Sequence, residues 1–132
     1  VRMSPLEPVF DTNDSDPVKH YTYFINKLND YNLAYLHLIE PAKGPKSTST
    51  FRSVYKGTII GAGDYQRDTA IETVEKGDAD LIAFGRHFIA NPDLPRRLIE
   101  NLPLNPANPN TFYGGNEEGY TDYPFYDDTQ RS

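Results

Sequence analysis

The chain contains no cysteine, no tryptophan and one methionine, and its thirteen Lys and Arg are outnumbered by nineteen Asp and Glu for a formal net charge of −6. Without cysteine there is no disulfide, no thiolate metal ligand and no cysteine nucleophile, and the redox compartment is not readable. The acidic balance supplies no broad positive field. That excludes a general binder of nucleic acid or anionic membrane, while a local anion site is still allowed. No apolar run approaches the roughly 20 residues that span a bilayer, and no signal-peptide pattern opens the chain, so a cytoplasmic setting is the default expectation. Aromatic residues are plentiful, with ten Tyr and seven Phe in 132 residues. At 37% hydrophobic content the chain can build one domain with a real core despite eleven prolines.

Two short stretches organise the rest. Residues 58–65 read Thr-Ile-Ile-Gly-Ala-Gly-Asp-Tyr and residues 80–87 read Asp-Leu-Ile-Ala-Phe-Gly-Arg-His. Each starts as an apolar run of strand type and breaks on Gly followed by a polar residue, Gly63-Asp64 and Gly85-Arg86. Residues 66–76 between them are of helical type and end on Gly77, as a left-handed cap would. This strand–loop–helix alternation predicts a parallel α/β sheet. In such folds ligands sit beyond the carboxyl ends of the strands, and in the eight-stranded barrel the last two strand-end loops frequently hold a phosphate.

The remaining elements follow in order. Residues 1–5 read as the end of a strand stopped by Ser4-Pro5, and 6–16 as a polar loop. Asp16-Pro17 is a helix start, after which Val18, Tyr21, Phe24, Ile25 and Leu28 recur on one face. A nearly continuous apolar run over 33–40 predicts a strand covered on both faces, ended by Pro41. Residues 43–50 read as a mobile loop, a candidate lid, and 51–56 as a short helix. In the helix over 66–76 Ala70, Ile71 and Val74 face inward. A helix over 96–101 buries Leu98 and Ile99. Residues 103–132 form an irregular tail packed by Phe112, Tyr113, Tyr120, Tyr123, Phe125 and Tyr126.

Six segments in order, Val1-Arg-Met-Ser-Pro5, Leu36-His-Leu-Ile-Glu-Pro41, Ala62-Gly-Asp-Tyr65, Ala83-Phe-Gly-Arg86 with Phe88-Ile-Ala-Asn-Pro-Asp-Leu94, Pro103-Leu-Asn105 with Thr111-Phe-Tyr113, and Gly119-Tyr-Thr-Asp-Tyr-Pro124, resemble the carboxy-terminal half of the old yellow enzyme family. These are FMN-dependent ene-reductases that include the plant oxophytodienoate reductases. The resemblance implies that residues 1–102 are strands five to eight, with their helices, of a TIM (β/α)₈ barrel, and that 103–132 pack on that barrel as a tail. It implies reduction of FMN by NAD(P)H followed by hydride delivery to an α,β-unsaturated alkene. Carried over residue by residue, Arg2 resembles the arginine at the pyrimidine side of the flavin. Gly63 and Asp64 match the loop whose backbone approaches the FMN phosphate, where the family more often has Gly or Asn at the second position. Gly85 and Arg86 match the phosphate-binding Gly-Arg, and Phe112 and Tyr113 resemble aromatics lining the cavity above the flavin. The family's substrate-binding pair and proton-donating tyrosine come from the first half of the barrel, so no catalytic residue is expected here.

Plainer readings stand beside these. Gly85-Arg86 and Gly63-Asp64 can each be a strand-end turn, and His37 reads as a satisfied core histidine rather than a ligand. His20 and His87 lack the Asp/Glu spacing of a metal site. An open four-stranded parallel sheet would expose two edges and an apolar barrel interior. The chain is therefore expected to be a portion of a longer enzyme, or to pair with a complementary half or with itself. The alternative function is a truncated, non-catalytic half-barrel that binds FMN, phosphate or a partner protein.

Overall fold

A computed structural model describes residues 1–7 and 14–129, so most of the loop expected over 6–16 lies outside the described residues. The chain divides into two compact units, Val1–Ala83 and Phe84–Ser132.

The first unit is a four-stranded parallel sheet in the order β1-β2-β3-β4, the order of the chain. Its strands are β1 Arg2–Met3, β2 Leu36–Ile39, β3 Ile59–Ala62 and β4 Leu81–Ala83, joined through α1 Pro17–Leu28, α2 Ser47–Phe51 and α3 Arg67–Glu75. The parallel α/β alternation read from the sequence is thus the architecture found. The register aligns Met3, Leu38, Gly61 and Ile82 in one row across the sheet and Arg2, His37, Ile60 and Leu81 in the next. Because side chains alternate along a strand, these rows point to opposite faces. The first row belongs to the core side, where Leu36, Leu38 and Ile59 pack with Ile25 of α1 and Phe51 of α2, all fully buried. Removing each such side chain from water contributes about 1.5–3 kcal/mol. The second row is far less covered, and Leu81 is 55% exposed.

Local chemistry explains the boundaries. Asp16 caps α1 by accepting from the Lys19 amide at 3.2 Å, with Pro17 at the first helical position. Only Ile25 and Leu28 of the predicted apolar face are buried, while Val18 and Phe24 are about half exposed. Gly77 takes φ +75 and ends α3 in the left-handed region. Ile71 and Val74, expected inside, are 41% and 42% exposed; among the three only Ala70 is buried. The predicted loop over 43–50 is corrected most. It contains α2, and Ser47 and Thr48 are buried rather than part of a mobile lid. The cause is a carboxylate seven residues upstream. Glu40 accepts from the Ser47 amide at 2.5 Å and the Thr48 amide at 3.3 Å, satisfying orphan donors of the first turn of α2. No local pattern announces that partner.

Two further polar contacts fasten this layer. Arg52 donates to Asp80 and to the carbonyls of Tyr55 and Gly57, while Asp80 accepts from the Ile59 amide at the start of β3. Asn29, at the end of α1, donates to Val54 and accepts from the Lys56 amide.

The second unit holds α4 Arg86–Ala90, α5 Leu94–Glu100, a 3₁₀ turn Pro109–Thr111 and α6 Tyr126–Thr129. The helix predicted over 96–101 starts two residues earlier, and its buried face is Leu94 and Arg97; Ile99 is 79% exposed. The interior of this unit is therefore partly ionic. Arg97, 2% exposed, donates to Asp93 at 2.6 Å and to the carbonyls of Pro103 and Pro124. The tail is irregular as expected, but of its aromatics Phe112 is buried whereas Tyr113, Tyr120 and Phe125 are largely exposed.

Candidate functional site

Each unit carries part of the expected site. In the first, Arg2 opens β1 in register with His37. His37 was expected to be a satisfied core residue. Instead its Nε2 is buried without a hydrogen-bond partner among the described residues. Burial, then the positive charges of Arg2 and the chain's amino group, hold its pKa below the ordinary histidine value. Gly63 follows β3 with φ +147, and a Cβ built on it would lie 3.0 Å from the Glu40 Cβ. Backbone conformation and close packing thus both require glycine there. Asp64 lines a groove of about 340 Å³ with Glu40, Lys46, Tyr65 and residues of α3.

Beneath this turn Glu40 forms a closed polar hub. Besides the two amides of α2 it accepts from the Thr48 hydroxyl at 2.6 Å and the Tyr65 hydroxyl at 2.7 Å. Glu40 and Tyr65 are each 5% exposed. Burial pushes the Tyr65 phenol up to about 12; hydrogen bonding with Thr48 and Thr73 opposes this, and Glu40 adds to it. With four donors turned onto it, three to Oε1 and one to Oε2, the carboxylate is a structural clamp that ties the ends of β2 and β3 to α2.

In the second unit Gly85 immediately precedes α4, and Arg86 is its first residue. The contrast with Gly63 is informative. Gly85 has an ordinary φ of −95, and a Cβ there would meet nothing within 4 Å. Neither backbone strain nor packing accounts for its missing side chain. Gly85 also lines a cavity of about 360 Å³ with Phe88, Ile89, Pro92, Tyr120 and Tyr123. Phe112 and Tyr113 meet edge to face at 5.9 Å, with Phe112 buried and Tyr113 88% exposed.

The sequence reading missed Glu40 as the organising group of the first unit and Arg97 as that of the second. A Glu ending an apolar run and an Arg on the expected polar side of a helix give no local sign of burial. Among the described residues no three His, Asp or Glu side chains come together as a metal would need. Among them, too, no helix is long and apolar enough to cross a membrane.

Residues 1–105 match the family described as NADH:flavin oxidoreductase / NADH oxidase. The chain belongs to that family. It is similar to putative 12-oxophytodienoate reductase 4 of Oryza sativa subsp. japonica, 42% identical over 97% of this chain and 36% of that protein. It is also similar to 12-oxophytodienoate reductase 2 of Arabidopsis thaliana, 39% identical over 98% and 37%. Among solved structures, the old yellow enzyme from Trypanosoma cruzi superposes with a TM-score of 0.89 at 35% identity, covering 95% of this chain and 34% of that one. Morphinone reductase in complex with tetrahydroNAD gives a TM-score of 0.88 at 42% identity, covering 97% and 36%. The chain thus spans about a third of the length of these flavin oxidoreductases. The family read from the six motifs is thereby established, and the parallel sheet matches that of the old yellow enzyme barrel.

Proposed function

We propose that this chain is the FMN-phosphate-binding part of an FMN-dependent NAD(P)H oxidoreductase that reduces α,β-unsaturated alkenes, its strands being the fifth to eighth of the barrel. The observation that carries the cofactor assignment is Gly85, whose missing side chain nothing among the described residues explains. A phosphate lying against that backbone would explain it, since a Cβ would occupy the space the ligand needs. Arg86, next in sequence, supplies a guanidinium suited to bidentate charge-assisted bonds with phosphate oxygens. By the family resemblance, Gly63 and Asp64 would also contact FMN through their backbone, and Arg2 would place positive charge at the flavin pyrimidine. Phe112 and Tyr113 would border the substrate.

FMN supplies the hydride chemistry when bound, with NAD(P)H as reductant, and the residues here contribute placement and charge. The residues that bind the acceptor group of the alkene and protonate its carbon belong, in this reading, to barrel strands outside these 132 residues. A complementary half, or a second copy, would close the sheet.

The test is flavin absorbance of the purified protein. A bound yellow chromophore bleached by NADPH supports the oxidoreductase. A bound chromophore that NADPH does not bleach supports the non-catalytic FMN binder, and a colourless protein removes both. Arg86→Ala is expected to weaken FMN binding by at least about 1.5 kcal/mol, the scale of one hydrogen bond to a charged group. An unchanged dissociation constant would take Arg86 out of the site.

A further inference from the structure

We propose that Arg97 is a positioning residue for the substrate side of the site, acting by closing the neck of the loop that carries Phe112 and Tyr113. The inference rests on the reading of those aromatics as substrate neighbours. Its structural half stands independently of that reading.

One planar guanidinium binds both ends of the loop. Arg97 Nη1 donates to the Pro103 carbonyl at 2.6 Å and Nη2 to the Pro124 carbonyl at 3.1 Å, while Nε donates to Asp93 Oδ1 at 2.6 Å. The second Asp93 oxygen accepts from the Tyr126 amide at 2.9 Å, so the carboxylate also fixes the chain just beyond the neck. Burial alone would push the Asp93 carboxyl up, but the Tyr126 amide and the Arg97 guanidinium outweigh it and hold it below the ordinary range. A second bolt lies alongside. Asn105 donates to the carbonyls of Ala90 and Pro124, and its amide donates to the side chain of the fully buried Asn91.

Beyond the neck the loop is braced internally. The Asn108 amide donates to the Tyr123 hydroxyl at 3.0 Å, and the Thr111 hydroxyl lies within hydrogen-bond reach of the carbonyls of Asn108 and Gly119, either of which can accept its proton. Phe112, immediately after Thr111, is buried, and Tyr113 is held out to solvent. Burial of an arginine is expensive unless every donor is used. Here it is spent on two prolyl carbonyls, acceptors that belong to no helix or strand, and the result is a loop of irregular backbone with a fixed base. Lysine could keep the Asp93 pair but could not span both carbonyls, because its donors diverge from one nitrogen.

The experiment compares Arg97→Lys, and the milder Tyr123→Phe, with the parent, each in a complete barrel that includes the strands outside these 132 residues. It follows amide hydrogen exchange over residues 104–123, FMN affinity, and KM and kcat for an enone substrate. Exchange in the loop is expected to rise about tenfold or more in Arg97→Lys, the scale of one charge-assisted bond, and to rise less in Tyr123→Phe. KM is expected to rise with it, with FMN affinity unchanged. Loop exchange equal to the parent's in Arg97→Lys overturns the inference, and so does raised exchange with an unchanged KM. A parent protein without flavin would defeat the oxidoreductase reading and the substrate role together, while the exchange measurement would still decide whether Arg97 closes the loop.

Discussion

Gly63 and Gly85 both end a strand and precede a polar residue, yet alanine should act oppositely at the two. At Gly63 the φ of +147 strains any L side chain and a methyl group would crowd the Glu40 Cβ at 3.0 Å, so Gly63→Ala should destabilise the fold by about 1–3 kcal/mol. At Gly85 the backbone is ordinary and the space open, so Gly85→Ala should leave the melting temperature unchanged or slightly higher. It should nevertheless weaken FMN binding at least about tenfold, a loss comparable to one charge-assisted hydrogen bond. Thermal melts and flavin titrations of the two variants read both effects. A Gly85→Ala protein that binds FMN like the parent would mean the open space serves no ligand.

Between elements, the Glu40 hub governs how β2, β3 and α2 meet. Tyr65→Phe removes one of four donors to the carboxylate and should cost about 1.5–3 kcal/mol. The hub also makes a pH prediction. Below pH 10 the Tyr65 phenol is protonated in folded and unfolded chains alike, and its contribution to stability is constant. As pH rises through 10 the unfolded chain loses this proton first, because the folded phenol is held up to about 12, so unfolding gains progressively until the folded phenol also ionises. The parent should therefore lose stability relative to Tyr65→Phe between about pH 10 and 12. Denaturant melts at pH 8 and pH 11 measure the difference, and equal losses in the two proteins would refute it. The same hub shows why the sequence was legible only in part. Helix α1 announces itself through Asp16-Pro17 and α3 through Gly77, because capping is local. Helix α2 does not, since its cap arrives from Glu40 across a loop, and Arg97 reads as a surface residue because its partners at Pro103 and Pro124 lie far along the chain. The strand-end glycines were visible as motifs, but the different reasons for them lie in φ and in neighbours, which no sequence displays.

At the scale of the whole molecule, the sheet has one well-covered face and one poorly covered one. Among the described residues strands β1 and β4 each have a single neighbour, and on the less covered face Leu81 is 55% exposed in register with Ile60 and His37. The His37 Nε2 on that face is buried and still lacks a partner among the described residues, a state that costs free energy until a donor or acceptor is supplied. Unpaired strand edges beside exposed aliphatic side chains favour association with another polypeptide. The 132-residue chain is therefore expected to self-associate in a concentration-dependent way, with a sedimentation coefficient that rises over the micromolar range. Leu81→Lys should weaken that association at least about tenfold, since burying one leucine contributes about 1.5–3 kcal/mol and a charge on an edge strand opposes pairing. If a polypeptide carrying the remaining strands of the family's barrel is added, it should compete with self-association and give His37 its missing partner, seen as a shift in the imidazole nitrogen resonances. A chain that sediments as a monomer at every concentration, with or without lysine at position 81, would show that this face needs no cover.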